Sequence, residues 1–543
     1  MNRMLLEVRR LRRLAWRLVP SGLVLLASTS LAVAGLAGTA GAGAPRGGST
    51  APPAGLHVAS SSTSRASAGR LVKAKISKTP RHYTKAQLAG LNEKLLESEE
   101  MKKGRTSRLT TPRPLNAALA PPSGLRRATS ILRDSRIPTS GIRGGANFAS
   151  STQEPSTDAN GGNIFQTGNW YATRSVDNGS TWSYLDPFTL FGSGFCCDQV
   201  TQYDADTGRQ FWLLQYDDRL VLANASASGT SAFTNWCSYT INATWYGLPS
   251  GTELDYNDIS ISNNNVNIST NYFGATKGAA MVRLPKFSMS ACGGFTYNRF
   301  DRADNFTFKL VPGSRDILYF GTNWGQTNGS SFRVFAWPEN SGSYTYFTRA
   351  VASYGFFNRD SGQNCASRDA VVNNWCQYAD SRTLGAYLAG GVIGFSFNAK
   401  QDSAHPFPYT RLVWFRESDR AYLGAGDIWA GWGAIQFLSL APNAAGRVGG
   451  VFAWGGGTGT THYYPGAATY STAASSVATD PNYFLSGAGN TCAYDGLYRW
   501  GDYLTVRTYK ANPSQWIGAA YAIKGGHCGS TSAYAEPHNV LFS

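Results

Sequence analysis

From about residue 146 to the C-terminus, short runs of β-branched and aromatic residues alternate with clusters of Gly, Asn, Asp and Ser. Phe211–Tyr216, Ile317–Phe320, Phe332–Trp337 and Val392–Phe397 are clear examples. Apolar runs of this length between turn formers predict strands, and no helical periodicity persists beyond two turns. About 400 residues of short strands exceed a single sandwich, so the predicted fold is all-β, a single β-propeller. Faint repeats agree: Thr167-Gly-Asn-Trp170, Ser269-Thr-Asn-Tyr272 and Gly321-Thr-Asn-Trp324 each close a β run. Acid-led segments starting near 154, 198, 255, 304, 380, 427 and 502 mark seven units, with six as the alternative. The tail Tyr534–Phe542 is the candidate strand for completing a terminal blade.

The N-terminal pattern is different. Arg3, Arg9, Arg10, Arg12, Arg13 and Arg17 precede an apolar or small run from Leu18 to Ala40. That is the charged and apolar arrangement of an export signal, assigned to 1–42, with Ala40-Gly41-Ala42 as the cleavage site. An uncleaved anchor is the competing reading. Residues 43–145 are rich in Ser, Ala, Gly, Pro, Lys and Arg, with almost no aromatics. Such a segment buries too little apolar surface to offset its ordering entropy, so a disordered basic spacer is expected. One helix is predicted inside it over 84–103, capped by Thr84 with Leu88, Leu91 and Leu95 on one face. The spacer could also tether the chain to acidic wall polymer or anionic lipid. The propeller is assigned to 146–543.

Charge changes the picture once it is divided. Residues 1–145 carry 25 of the 49 Lys and Arg but only 6 of the 33 Asp and Glu. The remainder is mildly acidic, which argues against a nucleic-acid groove in the main domain. Eight cysteines, all beyond residue 195, imply disulfides and an exported protein, secreted or at the cell surface. Sequential pairing is expected: Cys196–Cys197, Cys237–Cys292, Cys365–Cys376 and Cys492–Cys528. No cysteine or histidine spacing suits zinc.

Ser175-Val-Asp177-Asn-Gly179-Ser-Thr181-Trp182 completes the pattern S-x-D-x-G-x-T-W. Asp can accept backbone N–H bonds within such a turn, Gly supplies a positive φ, and Trp packs beneath. On this motif, with Glu154-Pro-Ser156 and Arg499-Trp-Gly-Asp-Tyr503, residues 146–543 resemble the sialidase-like (BNR, Asp-box) β-propeller superfamily. The resemblance implies a propeller and no particular chemistry. Arg136-Ile-Pro138 mimics that group's opening motif, but no apolar strand follows it, and no tyrosine can be assigned as a nucleophile.

In a propeller the starts of the innermost strands rim the axial channel. Glu154, Asp198, Asp258, Asp427 and Asp502 should converge there with Arg382, and they are the candidate catalytic acids. Oxygen ligands of this kind could hold Ca²⁺, although no cofactor is firmly implied. A Cys196–Cys197 bridge would place a flat sulfur surface beside Asp198. Trp170, Trp429, Trp432, Trp500 and Tyr503, with Arg499, are candidate platforms and anchors for sugar rings. The expected function is binding of extracellular polysaccharide or glycoconjugate. The alternatives are a glycan-cleaving hydrolase or lyase, and a surface propeller for protein partners. No nucleic-acid partner is expected, and membrane contact only through an uncleaved export segment.

Overall fold

The structure is a computed structural model that describes residues 55–81, 115–119, 129–138, 152–323, 329–359, 362–366, 373–458, 461–494, 497–528 and 532–543. The export signal and the helix expected over 84–103 lie outside the described residues.

Seven antiparallel sheets follow one another along the chain, each a blade running from an innermost to an outer strand. The innermost strands are Ser156–Asn160, Phe195–Asp204, Glu253–Ile261, Lys309–Leu310, Thr383–Ala389, Ala434–Pro442 and Thr505–Thr508, for blades 1 to 7. Each touches the next and the seventh touches the first, so the ring closes. The chain is a seven-bladed β-propeller. The expected starts agree in number and order, and the six-bladed alternative is excluded.

Adjacent innermost strands cannot share a full ladder, so side chains join them. Asp158 of blade 1 accepts from the Tyr203 amide of blade 2 at 2.8 Å. Ser439 of blade 6 accepts from the Val506 amide of blade 7 at 3.2 Å, and Thr505 of blade 7 accepts from the Thr157 amide of blade 1 at 3.1 Å. Large aromatics fill the wedges between blades. Trp212, Trp236, Trp337, Trp454 and Trp516 are among the fully buried side chains, which explains the high aromatic content.

The last blade closes with chain from both ends. Tyr534–Phe542 pairs with Trp516–Lys524 as expected of the tail, and its other edge pairs with Ile131–Arg136. Arg136 of the mimic motif therefore lies on the rim of blade 7, ion-paired with Glu536 at 3.1 Å, and not at the axis.

The region expected as a disordered spacer is ordered over 55–81 and 129–138. His57–Ser60 adds a strand to the outer edge of blade 4, Ser62–Ala66 to blade 3 and Arg70–Lys73 to blade 2. Ser77 then bridges Tyr184 of blade 1. Further along, Leu115–Leu119 pairs in parallel with the outer strand of blade 5, and Thr129 bonds Thr469 of blade 6 at 2.6 Å. Together these stretches form a belt that reaches every blade. The composition argument missed it because an edge strand needs no core of its own. It uses the unpaired N–H and C=O groups that each blade offers at its rim.

All four disulfides follow the sequential pairing. Cys237–Cys292 joins the rims of blades 2 and 3, and Gly69 of the belt crosses directly over it. A Cβ at Gly69 would lie 2.4 Å from Cys237 Sγ.

Candidate functional site

Four innermost strands carry irregular register near their starts: between Phe195 and Gln199, Asp255 and Asp258, Thr383 and Gly385, and Gln436 and Ser439. Tyr256 and Phe437 sit inside two of these bulges with φ of 55° and 60°. A bulge breaks the strict alternation of faces and re-aims side chains. Here it turns residues of neighbouring blades toward one funnel at the axis.

Glu154 and Asp198 meet in that funnel. The two carboxyls face one another across the junction of blades 1 and 2, close enough to share a hydrogen bond. Glu154 also accepts from Asn169 Nδ2 at 2.7 Å and from Arg499 Nη2 at 2.9 Å. The same Arg499 nitrogen lies 3.0 Å from Asp502 Oδ2, and Arg382 Nη1 lies 3.9 Å from that oxygen. Arg382 in turn grips Asp380 through Nε at 2.8 Å and Nη2 at 2.5 Å. Its guanidinium stands 4.4 Å over the Tyr256 ring, and Tyr256 meets Tyr503 edge-on with centroids 6.0 Å apart. Beside them Gln215 bridges Asp255 and Asn257, each at 2.9 Å.

Electrostatics follow from burial. Desolvation, then the nearby charges of Glu154 and Asp255, push the Asp198 carboxyl well above the usual carboxylate range. Burial also raises Glu154, opposed by Arg499. It raises the Tyr503 and Tyr256 phenols, helped by the surrounding acids, and lowers Arg382 to about 10. Both carboxyls of the pair are thus pushed toward their neutral forms.

Several polar atoms around this pair are left over. The Tyr503 hydroxyl, Asn257 Oδ1 and Asn169 Oδ1 are buried and have no hydrogen-bond partner among the described residues. Orphans of this kind recur elsewhere among the described residues, and these three are set apart by lying beside the carboxyl pair. The Cys196–Cys197 bridge adjoins Asp198, and its residues are buried, 6% and 5% exposed, so no broad sulfur plate is open to solvent.

Not every expected site residue lies here. The structure brings together Glu154, Cys196, Cys197, Asp198, Arg382, Arg499, Asp502 and Tyr503. Asp258 instead joins blades 3 and 4, accepting from the Leu310 amide at 3.1 Å and pairing with Lys309 at 3.0 Å. Asp427 belongs to the outer strand Tyr422–Ala430 of blade 5, paired with Arg411, and Trp429 on that strand packs against His405. Trp432 sits with Trp454, Tyr463 and Tyr483 on blade 6. Trp500 is core, stacked on Phe437 at 5.4 Å and on Tyr521 at 4.5 Å. Trp170 is 2% exposed at a blade 1 turn and lines an outer cavity.

Sequence reasoning left Asp255, Tyr256, Asn257 and Asp380 out of the site, although Asp255 and Asp380 each lead one of the expected segments. For Ca²⁺, no cluster of three or more His, Cys, Asp or Glu suited to a metal ion occurs among the described residues. The Asp box behaves as a structural turn. Asp177 accepts from Ser175 Oγ at 2.7 Å and from the Thr181 amide at 2.9 Å, on the rim of blade 1.

No known family and no curated protein matches the chain. Among solved structures it is similar to an α-L-arabinanase of Penicillium chrysogenum complexed with arabinobiose (TM-score 0.34, 9% identity, covering 76% of this chain and 98% of that one). The SapL1 lectin, in complex with α-methyl fucoside, gives TM-score 0.33 and 10% identity, covering 61% and 97%. The NanB sialidase of Streptococcus pneumoniae gives 0.33 and 9%, covering 74% and 69%.

Proposed function

We propose that this chain is an exported propeller that binds extracellular carbohydrate in its axial funnel. The supporting observation is the set of orphaned polar atoms on Tyr503, Asn257 and Asn169 around the Glu154–Asp198 pair. A polyhydroxylated ligand supplies donors and acceptors for such atoms. Four disulfides suit an oxidising compartment, and no helix among the described residues is long and apolar enough to cross a membrane.

Binding is preferred to cleavage on geometry. Glycoside hydrolysis uses carboxyl groups about 5–5.5 Å or about 6.5–9.5 Å apart. Glu154 and Asp198 are in hydrogen-bond contact, and Glu154 is further committed to Arg499 and Asn169. One feature favours a glycan-cleaving second reading: burial and the neighbouring carboxylates raise the Asp198 carboxyl, the direction a general acid requires.

The test is retention of the purified protein on plant, microbial and animal polysaccharides, with released reducing ends followed in parallel. Retention without release, weakened about fivefold or more in Tyr503→Phe by loss of one hydrogen bond, is expected. Release that Asp198→Asn abolishes would establish the second reading. No retention on any polysaccharide would reject both.

A further inference from the structure

The belt does more than cover sheet edges. Between Arg65 and Arg81 it carries six cations and no acid. Arg65, Arg70, Lys73, Lys75 and Lys78 are exposed and make no ion pair among the described residues. Arg81 alone is paired, with Asp186 at 2.9 Å. The stripe begins on the rim of blade 3, crosses blade 2 and ends at blade 1.

At that end the belt and blade 1 enclose a cavity of about 490 Å³. Lys73, Lys75 and Arg81 stand on its belt side, and Trp170, Tyr171 and Tyr184 line its blade side. Asp186 is its one acidic lining residue, and it is already engaged by Arg81 and by the Phe188 amide at 3.0 Å. The cavity thus sets uncompensated positive charge beside the narrow exposed edges of Trp170 (2%), Tyr171 (2%) and Tyr184 (6%). Asn169, which holds Glu154 in the funnel, immediately precedes Trp170, so one turn separates the two places.

We propose that the stripe and its terminal cavity form a second carbohydrate site, selective for an acidic, carboxylate-bearing polysaccharide. The aromatic wall suits a sugar ring, and the lysines and arginines suit carboxylates along a chain. The stripe follows the rim through two of the seven inter-blade steps, a track that a polymer chain can follow from cation to cation. This site is independent of the funnel reading, and neither stands or falls with the other.

The test uses the full-length chain with polygalacturonate, Arg70→Gln/Lys73→Gln/Lys75→Gln as the belt variant, and Arg416→Gln/Arg447→Gln as a charge control on blades 5 and 6. Every substituted residue is exposed, so folding is not at stake. Polygalacturonate should bind, more weakly as salt screens the contacts, with about a tenfold or greater loss in the belt variant and little change in the control. Equal affinities in belt variant and wild type, or an equal loss in the control, would overturn the proposal. Tighter binding to phosphatidylglycerol vesicles or single-stranded DNA, lost in the same belt variant, would also overturn it by assigning the stripe to another partner.

Discussion

Asp198 of blade 2 and Glu154 of blade 1 face one another as a buried carboxyl pair, so two blades meet at the axis through two acids. Burial and the neighbouring carboxylates raise Asp198 far above its value in an unfolded chain, about 3.9. A carboxyl raised in this way stabilises the folded state fully at pH below its unfolded pKa. The contribution is lost as pH rises through the folded pKa. Asp198→Asn keeps a donor toward Glu154 and cannot ionise. Its stability relative to wild type should therefore improve steadily as pH is raised from about 4 into the alkaline range. Thermal melts of both proteins across that range measure this, and a pH-independent difference would contradict it.

Arg499 ties blade 1 to the stretch leading into blade 7 by facing both Glu154 and Asp502. Arg499→Met leaves two acids without their shared cation and should cost about 3–5 kcal/mol. Adding Glu154→Gln removes one of the orphaned charges, so the double variant should be less destabilised than additivity predicts. Urea denaturation of the four members of the cycle gives the coupling, and strict additivity would argue that the pair is not coupled.

The Asp box supports ring closure as well as its own turn. Gly179 has φ of 80°, and a Cβ there would lie 2.4 Å from Ser135 Oγ on the strand that completes blade 7. Gly179→Ala should therefore cost about 1–3 kcal/mol from backbone strain and steric conflict. Ser135→Gly in the same chain should recover only the steric part. Full recovery would show that the left-handed backbone carries no cost here.

Belt attachment depends on the crossing at Gly69. Gly69→Val would press on Cys237 Sγ and Tyr239, both under 3 Å from an added Cβ. The segment 57–73 should then exchange its amide hydrogens faster and be cut sooner by protease, while amides of the innermost strands stay protected. Unchanged protection of 57–73 would contradict the belt's dependence on this close approach.

Much of the architecture was legible because each blade repeats the same meander. The expected starts at 154, 198, 255 and 502 fall within three residues of strands beginning at Ser156, Phe195, Glu253 and Thr505. Sequential disulfides were legible for the same reason, since chain neighbours in a meander are neighbours in space. Asp427 was misplaced because the outer strand of blade 5 ends at Ala430 and the inner strand of blade 6 begins at Ala434. An acid leading a β run marks either one. Tyr256 and Asn257 were hidden because the bulge between Asp255 and Asp258 cancels the alternation from which a facing direction is read. The belt was hidden because backbone hydrogen bonds leave almost no trace in composition.

The central claim is that the funnel beside Asp198 holds the carbohydrate. Its most direct test is calorimetric titration of an oligosaccharide from a retained polysaccharide into wild type, Tyr503→Phe and Cys196→Ala/Cys197→Ala, with folding checked by circular dichroism. Both variants should stay folded and bind about fivefold or more weakly, because each alters a group facing the ligand. Affinities equal to wild type in both folded variants would place the carbohydrate elsewhere and contradict the account.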